Sequence, residues 1–128
     1  MQNIIIAEKS YAFAIRVIRA YKYLREKDKF FALSDQFLRS GTAIGALVHE
    51  AKFAQSRKDF INKMNIALKE ASETDYWIRL LHDGNFIDDA VFESIRHDCE
   101  ELIRMLVKIV KTTKQSTKED VNRTQLNS

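Results

Sequence analysis

Glu70 and Glu73 sit three residues apart, and of all the side chains here they come nearest to general acid–base chemistry. Paired carboxylates on adjoining helix faces can share a proton or hold a cation. They serve equally well as ion-pair partners for Arg39 or Lys63 inside a packed interface. The second reading is preferred, because nothing around them assembles a site. His49, His82 and His97 show no zinc-ligand spacing, and Cys99 stands alone. A di-iron bundle needs Glu followed by His three residues later, and no Glu here has that partner. Glycine-rich phosphate loops and nucleophile elbows are also missing from the sequence. No catalytic, metal or cofactor site is therefore expected. Tyr76 and Trp77 do not make a stacking platform, since helical neighbours point about 100° apart.

A basic surface is the remaining candidate. Lys9, Arg16, Arg19, Tyr23 and Lys27 gather on one side of the first helical segment, with Lys22 and Arg25 at its margins. Such a stripe is either an ordinary solvated face or a seat for nucleic-acid phosphates, with Tyr23 available to stack.

Four amphipathic segments must carry these residues. The first is expected over about 7–27, with Phe13, Val17 and Leu24 inward and the basic stripe roughly opposite. A connector rich in Phe30, Phe31 and Leu33 is too apolar for a free loop, and it is expected to plug one end of a bundle. Ser34 is a plausible N-cap for the second helix, which should run to about Ala54. Along that helix Phe37, Gly41, Ile44, Val48 and Ala51 form one apolar stripe, with Gly45 at its edge. Two glycines one turn apart let a neighbouring backbone come close. Arg39, Ala43, Ala46 and Glu50 line its other side, beside Phe53.

Ser56 with Asp59 resembles a capping box for the third helix. This helix has a broad apolar arc: Met64, Ala67, Leu68, Ala71 and Ile78 on one side, Ile66, Trp77 and Leu80 on another. Gly84 is the natural stop, and Asp88 or Asp89 caps the fourth helix. There Phe92, Ile95, Cys99, Leu102, Leu106 and Ile109 alternate threes and fours, a coiled-coil-like seam that makes Cys99 an inert buried thiol. Residues 1–113 form the expected bundle domain. Residues 114–128 are polar and lack a sustained stripe, so a frayed or flexible tail is expected.

The chain has 128 residues, no proline and three glycines, which suits one all-α domain. The net charge of +3 is unevenly spread: residues 1–56 hold nine Lys/Arg against five Asp/Glu, whereas 88–113 hold four against six. This asymmetry suggests an acidic partner. One cysteine excludes an intrachain disulfide and suits a reducing compartment. The apolar run Ile4–Ala7 is too short for a signal peptide or a membrane span. A soluble, cytoplasmic protein is expected, with no membrane partner.

The motifs LRSGTAIGALVHEA and AQSRKDFINKMNIALKEASETDYWIRLL resemble the four-helix-bundle proteins encoded in intervening sequences of bacterial 23S rRNA genes. That family is similar to the accessory variability protein of diversity-generating retroelements. The resemblance covers about residues 7–110 and matches at Arg39, Ser40, Gly41, Gly45, Glu50, Ala51, Gln55, Phe60, Ala67, Glu70, Thr74 and Trp77. It departs at Leu47-Val48-His49. The resemblance implies an antiparallel up-down-up-down four-helix bundle and a homopentamer, and, for the accessory-protein branch, nucleic-acid and reverse-transcriptase binding through a basic surface. The preferred reading is a non-enzymatic homo-oligomer that binds RNA or another nucleic acid through the basic face of its first helix.

Three expectations about sites follow. Lys9, Arg16, Arg19, Lys22, Tyr23 and Lys27 are the nucleic-acid candidates. Arg39, Glu50, Glu70 and Glu73 should form a mostly buried polar network. Ala43, Ala46, Phe53, Trp77 and Leu80 should meet another subunit, since a lone bundle would leave them in water. The alternative function is an oligomeric scaffold for a protein partner, without direct nucleic-acid affinity.

Overall fold

The computed structural model describes residues 1–127. It contains four helices: α1 (Gln2–Lys27), α2 (Ala32–Ala51), α3 (Arg57–Asp83) and α4 (Asp89–Asn127). No strand occurs among the described residues. Successive helices pack on one another, and α4 closes the ring against α1. Every seam runs antiparallel. Gly41 faces Val17 while Gly45 faces Ser10; Arg39 meets Glu70 and Glu73 while Glu50 meets Lys63; Asp75 meets Arg96 while Ala71 meets Cys99; Lys9 meets Glu101 while Arg16 meets Asp98. The protein is thus an up-down-up-down bundle.

The stripe read along helix 2 is core surface: Phe37, Gly41, Ile44, Val48 and Ala51 are all buried. Glycine at 45 brings two backbones together. A Cβ there would stand 3.2 Å from the Ser10 carbonyl oxygen, so α1 and α2 approach more closely than a larger residue permits. The α4 seam is likewise buried from Ile95 through Ile109, with Phe92 half-covered at its start. Helix 1 begins five residues earlier than expected, and the buried Ile6 extends its core face toward that start.

The helix ends differ from the sequence reading in instructive ways. Ser34 does not cap α2. It is buried inside the first turn, and its hydroxyl donates back to the Phe31 carbonyl oxygen at 3.1 Å. The helix instead starts at Ala32, with Phe31 as its uncapped flank. Asp35 is used across the α1–α2 seam, where it accepts from Tyr21 Oη at 2.7 Å. Phe30 does not plug the bundle end; it is exposed, with its ring on Phe86 at 5.9 Å. Helix 2 stops at Ala51 rather than Ala54, giving way to a turn.

Ser56 does cap α3, accepting from the Asp59 amide, while Asp59 reaches back to the Gln55 amide at 3.4 Å. At its other end the left-handed residue is Asn85 (φ 66°), not Gly84 (φ −83°). The Phe86 and Asn85 amides donate to the Leu81 and His82 carbonyls, which is a Schellman stop with asparagine in the position usually held by glycine. Asp88 caps α4 by accepting from the Val91 amide at 2.8 Å.

The polar segment set apart as a flexible tail continues α4 as helix to Asn127. Its side chains are mostly exposed, and Arg57 pairs with Asp120. Thr113, Thr117 and Thr124 each donate to the carbonyl four residues back, so hydroxyls that favour non-helical turns are occupied within the helix. Ser128, the last residue of that expected tail, lies outside the described residues.

Candidate nucleic-acid interface

The first part of the basic stripe does not simply face solvent: Lys9 and Arg16 lie along the flank that meets α4, and α4 answers them with acids, whereas Arg19, Lys22, Tyr23 and Lys27 are exposed. Lys9 Nζ stands 2.6 Å from Glu101, and this bond raises the lysine pKa while holding the Glu101 carboxyl below its usual range. Arg16 is bound more fully: Nη1 donates to Asp98 at 2.6 Å and Nη2 to the Ser94 hydroxyl at 2.7 Å. Both cations are therefore committed within the chain.

The stripe changes character toward the C-terminal end of α1. Arg19 and Lys22 make no side-chain ion pair or hydrogen bond among the described residues. Lys27 Nζ lies 3.5 Å from the Phe86 carbonyl oxygen and 5.7 Å from the centre of the Tyr23 ring. Tyr23 is 57% exposed. Arg25, at the stripe's margin, turns away and lies 3.8 Å over the Phe31 ring. Within this stripe the positive charge without an ion pair is thus at Arg19, Lys22 and Lys27.

The α1–α4 seam is also open. Grooves of about 430, 170 and 390 Å³ follow it from the start of α1 to its end. The last has an apolar floor of Ala20, Leu24, Phe86, Ile87 and Val91, rimmed by Arg16, Arg19, Tyr23, Lys27 and Asp88. Sequence reasoning missed the half of this groove contributed by residues 86–91. The signal was present in the acidic excess of 88–113: α4 itself supplies acids for Lys9 and Arg16 of the basic helix.

The other expected sites are divided differently. Arg39 bonds to both Glu70 and Glu73, and its Nε reaches Gln36 at 3.3 Å. Glu73 also accepts from Trp77 Nε1 at 3.1 Å, and the arginine and then the indole hold its carboxyl below the usual range. Glu50 belongs to a separate pair with Lys63 at 3.3 Å. The network is not mostly buried within the chain: the Arg39 side chain is 48% exposed. An arginine whose alkyl stem lies on a helix surface keeps its head group in water.

Of the expected interface residues, Phe53 is exposed and Ala46 is too, whereas Ala43, Trp77 and Leu80 are half-buried. Phe53 meets His49 edge-on at 5.7 Å. Tyr76 and Trp77 meet edge-on at 5.2 Å with planes 70° apart, so they share no stacking face.

Burial pushes the Cys99 thiol up to about 12, and it donates to the Ala71 carbonyl oxygen at 3.3 Å. It is a neutral packing group at physiological pH. Among the described residues no cluster of His, Cys, Asp and Glu could hold a metal ion, and no helix is long and apolar enough to cross a membrane.

A family model described as 23S rRNA-intervening sequence protein matches residues 2–108. The chain is similar to a solved structure of a protein with unknown function from the S23 ribosomal protein family, from Bacteroides thetaiotaomicron. The two are 49% identical, with a TM-score of 0.85 over 87% of this chain and 99% of that one. No curated protein matches.

Proposed function

The chain belongs to the 23S rRNA-intervening sequence protein family, and from that premise we propose that it is a non-enzymatic, self-associating bundle that binds RNA or another nucleic acid. The observation that carries this reading is the unpaired charge of Arg19 and Lys22 beside Tyr23 and Lys27. Lys9 and Arg16, held by α4, position the helix and contribute little to a polyanion. Contacts of this kind are made to phosphates, so they set affinity and not sequence preference.

Self-association multiplies a weak site. The exposed Phe53 ring and the half-covered Trp77 and Leu80 supply apolar surface for a subunit contact, and the family resemblance makes a pentameric ring the expected form. Copies of the patch held in one ring act through high effective concentration. The protein works in the cytoplasm on this reading.

The test is Arg19→Glu combined with Lys22→Glu, assayed by fluorescence anisotropy on a labelled RNA hairpin across a salt series. Wild-type binding should weaken steeply with salt. The double variant should flatten the log–log slope by about 1 per residue while helicity and oligomer mass stay unchanged. No salt-sensitive binding by the wild type at low ionic strength would defeat the proposal and leave a scaffold for a protein partner as the better account.

A further inference from the structure

We propose that the groove at the C-terminal end of the α1–α4 seam is a seat for an unpaired base of a single-stranded nucleic acid; this rests on the nucleic-acid reading above. The groove combines features that phosphate binding alone does not require. Its floor is Ala20, Leu24, Phe86, Ile87 and Val91, and its volume of about 390 Å³ lies within the size range of small-molecule pockets. Val91 is 41% exposed there, so the floor is reachable from solvent.

The cations stand on the rim, not in the floor. Arg19 lies one turn before Tyr23, and Lys27 one turn after it. A nucleotide has the complementary layout, with a flat apolar base flanked by phosphates. The base can enter the notch or stack on the Tyr23 ring, while the phosphates on either side reach Arg19 and Lys27.

A duplex cannot use this layout. Its base faces are stacked on one another, and it offers a helix surface mainly phosphates and 2′-hydroxyls. Laid over the groove, it would leave the apolar floor without a partner. Asp88 sharpens the distinction. Its carboxylate stands on the same rim and repels a continuous phosphate backbone, but it can accept from the amino group of an inserted base.

The experiment compares a single-stranded RNA of mixed sequence with a blunt RNA duplex of equal phosphate count. Wild type, Tyr23→Ala and Val91→Lys are each titrated at fixed salt. The wild type should prefer the single strand on the order of tenfold, the scale of stacking one base on an aromatic ring. Tyr23→Ala should remove most of that preference. Val91→Lys is the sharper arm. A purely electrostatic surface would bind both RNAs more tightly with an added cation. A base seat would lose its single-strand advantage.

Equal affinity of the wild type for both RNAs, or a preference that survives both substitutions, overturns the seat and leaves the nucleic-acid reading standing. Binding to neither RNA defeats both. A change of oligomer mass in Val91→Lys assigns the groove to a second copy of the chain. Displacement of the single strand by oligoglutamate of equal charge assigns it to polyanions in general. Either result overturns the proposal.

Discussion

Gly41→Ala sets two well-measured effects against each other at one atom. In an exposed helix the change stabilises by about 1 kcal/mol, because glycine carries excess backbone freedom in the unfolded chain. At this site the new Cβ would stand 2.8 Å from Cγ2 and 2.9 Å from Cγ1 of Val17, distances that real Cβ atoms do not adopt. Val17 cannot move aside easily: it is fully buried, and its branched side chain is stiff about χ1. Overpacking of this kind costs about 1–3 kcal/mol, so the net change should be a loss of about 1 kcal/mol. Val17→Ala alone should cost about 2 kcal/mol from two buried methyl groups. In the double variant the two contacts under 3 Å are gone, only the residue-17 Cβ remains close at 3.3 Å, and the alanine keeps most of its propensity gain. The pair should therefore be more stable than the sum of the singles by about 1–3 kcal/mol. Urea denaturation measures the cycle, at one fixed protein concentration because self-association adds to apparent stability. Additivity within about 0.5 kcal/mol, or Gly41→Ala raising stability by the full propensity term, would refute this account of the α1–α2 contact.

Three further outcomes are expected. Arg39→Ala should cost no more than about 1 kcal/mol in a dilute monomer, because the arginine is half in water; a loss of about 3–5 kcal/mol in the assembled protein would show that the interface buries the pair. His82 donates toward Asp89 at 2.6 Å and lies near Asp83, and these bonds raise its pKa above the usual histidine value. The stabilisation is complete below the unfolded value of about 6.5 and is lost as pH rises through the higher folded value, so the melting temperature should fall over that window in the wild type and not in His82→Gln. Asn85→Ala should lower stability by about 1 kcal/mol and Asn85→Gly should not, since residue 85 takes φ 66°; equal melting temperatures for both variants would remove the left-handed stop from the account.

The buried half of each helix was legible because burial leaves a period. Phe37 through Ala51 and Ile95 through Ile109 carry spacings of three and four with hardly an exception, and the packed core follows them. Helix ends were less legible, because several residues compete for each cap. Ser34 and Gly84 have the preferred types, yet a buried hydroxyl and a −83° φ pass those roles to Phe31 and Asn85. The α4 extension was read as flexible because its stripe is weak, whereas threonine back-bonds and the Arg57–Asp120 pair accompany its helix. Lys9 and Arg16, read as solvent-facing, meet α4 for a geometric reason. A helix at the corner of a bundle touches two neighbours, so positions a third of a turn from the core can face another helix instead of solvent.

That geometry also changes what the charge asymmetry means. The excess of lysine and arginine near the start of the chain looks like a field aimed at an external polyanion. Part of it is answered internally, since Glu101 and Asp98 meet Lys9 and Arg16. The pairs are half-exposed and contribute little to stability, but they neutralise one end of the stripe and leave the other end charged. Net charge therefore understates the local field around Arg19, Lys22 and Lys27. On the proposed nucleic-acid reading, a polyanion arriving at α1 would be guided toward its C-terminal half, where the groove is lined by Ala20, Leu24, Phe86, Ile87 and Val91. Asp98→Asn with Glu101→Gln should move that boundary: it frees Lys9 and Arg16, extends the positive stripe, and steepens the salt dependence of RNA binding by about 1 for each released cation. An unchanged slope would mean that the pairs open on binding, and that the α4 acids do not direct where the nucleic acid lies.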